Sequence, residues 1–146
     1  MLKRYTFWLT AAALFQLAGG LLHSVSFFIP LSGEGETEQQ MISLITTYKM
    51  DMGAGFHPTF FNLFTALSSC FTFLFLFAAL TNGYLLWKRT EPSVMKGIIA
   101  INLAIFGVVL AVMVCFTFLL PITCVGLVFI NLLAAFLLVP KIESAV

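Results

Sequence analysis

From Gly97 to Pro140 the chain reads GIIAINLAIFGVVLAVMVCFTFLLPITCVGLVFINLLAAFLLVP, without one Asp, Glu, Lys or Arg. About 20 apolar residues are enough for a helix to cross a hydrocarbon core that is about 30 Å thick. The stretch is about twice that length, and Pro121 divides it, because proline lacks a backbone donor and interrupts a helix. It therefore predicts two membrane-spanning helices in direct succession.

Two further stretches without charge, Tyr5 to Gly33 and Met52 to Trp87, are each long enough for one span. Four spans leave little of the chain for anything else, so we predict an all-α fold, an integral membrane four-helix bundle that forms one transmembrane domain over 1–146. The predicted spans are about 6–28, 58–87, 96–118 and 122–139.

The segment of about 30–57 is predicted to be an outer loop that carries a short amphipathic helix between the first two spans. Thr37 and Gln40 have the spacing of a capping box at the start of that helix, and Gly53-Ala54-Gly55 is expected to end it. Apolar residues recur every three or four positions, which is typical of one helix face, and the helix is predicted to lie on the membrane surface or to cover the bundle as a lid. This predicted lid face consists of Met41, Leu44, Ile45, Tyr48 and Met52.

Composition and charge restrict the class of protein. Hydrophobic residues make up 61% and charged residues 9% of the chain, against roughly 45–50% and 25% in soluble domains. A net charge of +1 argues against a nucleic-acid partner, which requires a basic face. Six of the seven basic residues flank the spans on one side, a positive-inside pattern that predicts an inner (plasma) membrane protein with both termini cytoplasmic. The six are Lys3, Arg4, Lys88, Arg89, Lys96 and Lys141, and Lys49 falls on the other side.

Polar side chains within spans normally face the protein interior, so they indicate where a ligand would meet polar groups. Together with the phenylalanines that open the second span, they predict a pocket for a lipid-like apolar molecule in the outer half of the bundle. The competing interpretation is that these residues join the helices by hydrogen bonds, with His23 bonded to a neighbouring helix. The candidate ligand-binding residues are Gln16, His23, His57, Asn62 and Ser69.

Several alternatives are weaker. His23 and His57 both fall toward the outer side, which leaves open a haem or metal site, although no metal-ligand spacing accompanies them and no cofactor is expected. The spans contain no Asp, Glu, Lys or Arg for a proton relay, so a role as a transporter component rests on His23 alone. Cys115 and Cys124 fall toward the same side and leave a disulfide open.

No catalytic motif occurs in the chain. We therefore expect a protein without catalysis of its own, in contact with the lipid bilayer. It would be an accessory or assembly subunit that binds another membrane protein or a second copy of itself, or a binder of a lipid-like molecule.

The chain contains three short sequences in succession: Met50-Asp-Met-Gly53, Phe61-Asn-Leu-Phe64, and Phe116-Thr-Phe118 followed by Pro121. In these sequences and in the order of its spans, the chain resembles a family of small bacterial four-span membrane proteins. The resemblance covers most of the chain. The resemblance implies a bacterial inner-membrane location and a four-helix fold, and it implies no activity.

Overall fold

The structure, a computed structural model, describes residues 4–140 and is built of helices. Within that range it has five α-helices, a 3-10 turn at Ser26–Phe28 and no β-sheet. The predicted all-α fold class is therefore confirmed, whereas the predicted flanking charges Lys3 and Lys141 lie outside the described residues. The helices are α1 (Tyr5–Val25), α2 (Glu36–Thr47), α3 (Phe60–Trp87), α4 (Pro92–Phe116) and α5 (Leu119–Leu138).

Four of the helices described, α1 with its 3-10 turn, α3, α4 and α5, are long and apolar enough to cross a membrane. The 28 residues of α3 extend over about 42 Å at 1.5 Å per residue, more than the hydrocarbon core of about 30 Å requires. The excess is accommodated by tilting or by projection beyond the bilayer. The chain is therefore a multi-pass membrane protein.

The chain divides into two compact units, and α1 and α3 each contribute to both. The described part of the first unit consists of residues 4–19 and 75–140, and the second unit is Gly20–Leu74. In the first unit all four long helices supply buried side chains, which makes it a four-helix bundle. Its buried residues include Leu9, Ala12, Gln16, Phe75, Ala78, Asn82, Met95, Ile99, Phe106, Val125, Val128, Leu132 and Ala135.

In the first unit α4 and α5 are joined by only two residues, Thr117 and Phe118. The Thr117 N–H donates to the Met113 carbonyl over 2.9 Å and so closes α4. The sequence had predicted that Pro121 lies between the two helices, but it lies in the first turn of α5. The first turn accepts proline because the N–H that proline lacks would have no partner there.

The second unit contains a hairpin-like loop directly after α2. Lys49 and Thr59 form an antiparallel bridge, and the Met50 N–H donates to the Pro58 carbonyl over 2.9 Å. At the tip Gly53, Ala54 and Gly55 all have positive φ, a conformation that glycine adopts without steric cost. The pairing holds the chain extended from Tyr48 onward, so the prediction that the amphipathic helix continues to Met52 is wrong.

Most of the predicted lid face of α2 is exposed. Ile42, Ile45 and Thr46 are half-buried against the second unit, whereas most of the predicted lid face points outward. Met41, Leu44 and Tyr48 are each exposed. The predicted lid face therefore meets the surroundings of the protein, and a neighbouring stripe of α2 packs inward.

The predicted capping box at Thr37 and Gln40 is not formed. Gly35 is the N-cap of α2, and the first turn is held by the Glu38 carboxylate, which accepts the Glu34 N–H over 2.9 Å. Glycine is a tolerated N-cap because it adopts the extended conformation that this position needs.

A reciprocal cap occurs instead at the start of α3. The Thr59 N–H donates to Asn62 Oδ1 over 3.0 Å, and the Asn62 N–H donates to Thr59 Oγ1 over 3.2 Å. Thr59 is buried, whereas Asn62 is exposed. This is the pattern of a capping box with asparagine in the place of glutamate.

Thr59→Val is expected to lower the free energy of unfolding by about 1 kcal/mol, because it removes the N-cap of α3. Thr37→Val, at the predicted but unused cap, is expected to leave stability unchanged within about 0.5 kcal/mol. Both variants would be unfolded by SDS in mixed micelles and followed by tryptophan fluorescence. Equal stability of the two variants would show that the Thr59–Asn62 cap does not stabilise α3.

Candidate functional site

His23 is bound to α3 within the second unit. Its Nε2 lies 2.8 Å from Ser68 Oγ and 3.2 Å from the Ser68 carbonyl oxygen. The rings of Phe27 and Phe71 meet the imidazole edge to face, at centroid distances of 5.4 and 5.1 Å. His23 is therefore a half-buried histidine hydrogen-bonded to a neighbouring helix, with one aromatic ring on each of α3 and the 3-10 turn.

Sequence reasoning selected Ser69 and missed Ser68. The Ser69 hydroxyl donates to the Thr65 carbonyl of its own helix over 2.8 Å. Adjacent residues of a helix differ in direction by about 100°, so only one serine of the pair can face His23. The presence of polar residues within the span predicted an inward-facing group at this level of α3, but it did not determine which of the two serines lies opposite the histidine.

His57 lies in the hairpin-like loop, and its Nδ1 is 3.9 Å from Asp51 Oδ1. The two side chains are 54% and 78% exposed, so their attraction is screened by solvent and contributes little to stability. Asp51 Oδ1 also accepts the Gly53 N–H over 2.9 Å. Asp51 therefore organises the loop tip, and His57 is its neighbour.

The predicted haem or metal alternative draws on His23 and His57. In residues 4–140 the structure brings together no group of three or more His, Cys, Asp or Glu side chains that would hold a metal ion. Each histidine instead has its own partner, Ser68 for one and Asp51 for the other. Cys115 and Cys124 are free thiols.

Gln16 belongs to a cluster of three amides in the first unit, in which Gln16 and Asn82 are fully buried and Asn102 is half-buried. Asn82 Nδ2 donates to Gln16 Oε1 over 3.0 Å and lies 3.5 Å from Asn102 Oδ1. Asn102 Nδ2 donates to the Ile98 carbonyl over 3.0 Å. The cluster, here called the amide cluster (Gln16, Asn82 and Asn102), connects α1, α3 and α4.

The sequence interpretation missed Asn82, although it shares the signal that identified Gln16. It is an amide within an otherwise apolar span, and a polar group in that position faces the protein interior. The predicted site residues on α3 were Asn62 and Ser69, which both lie in its first half. The same signal in the second half of the helix identifies Asn82.

The five predicted site residues are divided between the two units. Gln16 belongs to the first unit, and His23, His57, Asn62 and Ser69 to the second. Within residues 4–140 no hydrogen bond joins two of the five, and Asn62 is bonded in the cap of α3.

An apolar groove of about 340 Å³ lies in the second unit, here called the loop groove. One wall is the chain that leaves α1, and the other is the half-buried stripe of α2. Much of its lining is uncovered, since Phe28 is 84% and Ile29 62% exposed. The lining residues are Phe27, Phe28, Ile29, Pro30, Leu31, Ile42, Thr46 and Phe61.

Comparison of the chain with protein-family models, with curated proteins and with solved structures finds no match. The resemblance to small bacterial four-span membrane proteins therefore stays a prediction. A functional proposal rests on the residues of this chain alone.

Proposed function

We propose that this multi-pass membrane protein is a non-catalytic binder of a lipid-like apolar molecule, which it holds in the loop groove. The observation that carries the proposal is the groove itself. It is enclosed by α2 on one side, it is lined by aliphatic and aromatic side chains, and its volume of about 340 Å³ lies at the lower end of the range for ligand sites, about 300–1,000 Å³.

Polar groups at the groove are few. The Thr46 hydroxyl already donates to the Ile42 carbonyl over 2.7 Å, so it has little left to offer a polar ligand. Phe27 lines the groove and also packs against His23. The chemistry of the lining therefore fits a hydrocarbon chain, and His23 positions one wall without facing the ligand.

The exposed face of α2 supports a location at the membrane surface. Met41, Leu44 and Tyr48 point away from the second unit, while Glu36 and Glu38 supply charge to the first turn. A helix with an exposed apolar face and charged residues at one end suits the interface between headgroups and acyl chains. Beside such a helix, the loop groove is open to molecules that partition into the bilayer.

We further propose that the membrane is a bacterial inner membrane and that both termini are cytoplasmic. Arg4, Lys88, Arg89 and Lys96 support this orientation through the positive-inside rule. The Lys88 ammonium lies 4.8 Å from the centre of the Trp87 ring, and a tryptophan beside a lysine at a helix end is typical of a membrane–water interface. In this orientation the loop groove opens on the outer side.

Native mass spectrometry of the protein, extracted from its own membranes in mild detergent, tests the proposal. We expect a retained non-covalent mass of a few hundred daltons that is lost in Ile42→Trp, which fills the loop groove. Leu44→Trp, on the exposed side of α2, is the matched control and should retain the mass. His23→Ala should lower retention, because Phe27 loses the imidazole that it packs against.

Two results would contradict ligand binding in the groove. One is wild-type protein that carries no added mass, and the other is equal retention by Ile42→Trp and Leu44→Trp. Circular dichroism and elution volume would show that each variant is folded before its spectrum is interpreted.

A second candidate function is that of an accessory or assembly subunit, and the exposed apolar side of α2 favours it. Met41, Leu44 and Tyr48 would then pack against another membrane protein or against a second copy of this chain. The same spectra separate the two functions, because a polypeptide in a fixed ratio that is lost in Leu44→Glu would indicate a subunit.

A further inference from the structure

The amide cluster in the first unit has a fixed direction of hydrogen bonding. The Ile98 carbonyl only accepts, so Asn102 must present its Nδ2 to it. Asn102 Oδ1 then faces Asn82, which must present its Nδ2 in turn. The same Nδ2 donates to Gln16 Oε1 over 3.0 Å, so the orientation of all three amides follows from one backbone carbonyl.

With the amides in this orientation, two polar atoms remain without a hydrogen bond. Gln16 Nε2 and Asn82 Oδ1 are buried and have no hydrogen-bond partner among residues 4–140. Both side chains are 0% exposed. An unpaired buried donor or acceptor is destabilising, and the surrounding hydrocarbon offers no water in compensation.

The two atoms require complementary partners. Gln16 Nε2 donates only and Asn82 Oδ1 accepts only, and each is attached to the same amide carbon as one atom of the Gln16–Asn82 hydrogen bond. A carbonyl or carboxylate oxygen would satisfy only the donor and an ammonium group only the acceptor, whereas a hydroxyl oxygen satisfies both.

A second groove is lined by residues of α1 and α3 in the first unit and is here called the α1–α3 groove. It has a volume of about 330 Å³ and an apolar lining. Ala13 lies three residues before Gln16, and Leu17 follows it directly. In the same way, Ala79 lies three residues before Asn82, and Gly83 follows it directly. A hydrocarbon chain in this groove would therefore lie against close sequence neighbours of Gln16 and Asn82, although neither amide lines the groove itself. The other lining residues are Thr10, Leu14, Leu80 and Leu86.

We infer that Gln16 and Asn82 bind one hydroxyl group, which accepts from Gln16 Nε2 and donates to Asn82 Oδ1. Two sources supply this chemistry: a buried water molecule, and a long-chain alcohol whose tail occupies the α1–α3 groove. The site is independent of the loop groove, because every residue in it belongs to the first unit.

Nuclear magnetic resonance of ¹⁵N-labelled protein in detergent micelles tests the inference, with water and ¹³C1-labelled 1-dodecanol as probes. The side-chain amide protons of Gln16, assigned from their absence in Gln16→Leu, should give a cross-peak to water or to the carbinol group of the alcohol. A water cross-peak alone identifies water as the ligand, and a carbinol cross-peak identifies the alcohol. Resolved Gln16 amide signals without either cross-peak would overturn the inference.

Two variants sharpen the test. Asn82→Leu removes the acceptor and should abolish either cross-peak, while Asn131→Leu, at a buried amide outside the cluster, should leave it intact. Gly83→Leu should abolish the carbinol cross-peak and spare a water cross-peak, because Gly83 lines the α1–α3 groove and a Cβ atom there meets no atom within 4 Å. The wild-type spectrum decides the inference even if Asn82→Leu does not fold.

Discussion

Gly19→Ala is expected to destabilise the protein by about 1–3 kcal/mol, the usual cost of overpacking a well-filled core. A Cβ atom at Gly19 would lie 2.7 Å from Phe75 Cε1 and 2.9 Å from Phe75 Cδ1. The ring cannot readily move away, because Phe75 is 1% exposed and packs edge to face on Phe106 at a centroid distance of 5.2 Å. Unfolding by SDS in mixed micelles would measure the loss.

Gly97→Ala is the matched control for this result. Gly97 also lies within a helix, but a Cβ atom there meets nothing within 4 Å. Alanine is favoured over glycine in a helix by up to about 1 kcal/mol, so this variant should be as stable as the wild type or more stable. If Gly19→Ala behaved like Gly97→Ala, the close approach of α1 to Phe75 would be wrong.

The fold was largely predictable because the membrane imposes a simple rule on the sequence. A span must be about 20 residues long and nearly free of charge, and the positions of the charged clusters therefore mark the helix ends. The predicted spans of about 6–28 and 96–118 correspond to α1 with its 3-10 turn and to α4. Local chemistry at the helix ends was less predictable, since Gly35 rather than Thr37 is the N-cap of α2.

The candidate site was less predictable than the fold for a geometric reason. Hydropathy identifies polar residues that face inward, but a hydrogen bond also requires the correct rotation and depth of both helices. Gln16 was found and its partner Asn82 was not, and His23 was found while Ser69 was chosen in place of Ser68. The pairing of helices is a tertiary property that the pattern of one span does not contain.

Polar contacts in the described helices fall into two kinds with different consequences. Asn131 Nδ2 donates to the Leu127 carbonyl of its own helix over 2.7 Å. Removing the Asn131 amide therefore leaves no other side chain without this hydrogen-bond partner. Asn82 instead donates to a side chain of another helix. Only contacts of the second kind couple one helix to another, and their removal leaves a buried partner unpaired.

Asn82→Leu is therefore expected to lower the free energy of unfolding by about 1–3 kcal/mol, the cost of leaving a buried polar partner unsatisfied. Gln16 Oε1 would lose its donor in a buried position. Asn131→Leu, a substitution of the same kind at a buried amide, should cost clearly less. Unfolding in mixed micelles would compare the two variants, and a larger loss from Asn131→Leu would contradict this role of Asn82.

The double variant Gln16→Leu/Asn82→Leu separates the energy of the hydrogen bond from the cost of leaving one buried amide without its partner. It removes both amides together, so no partner is stranded between them, and it should be less destabilised than the sum of the two single variants. The difference is expected to be about 0.6 kcal/mol and at most about 1.7 kcal/mol, as measured for hydrogen bonds between helices in membranes. Strict additivity would mean that Gln16 and Asn82 do not interact, and the amide cluster would then not hold α1 to α3.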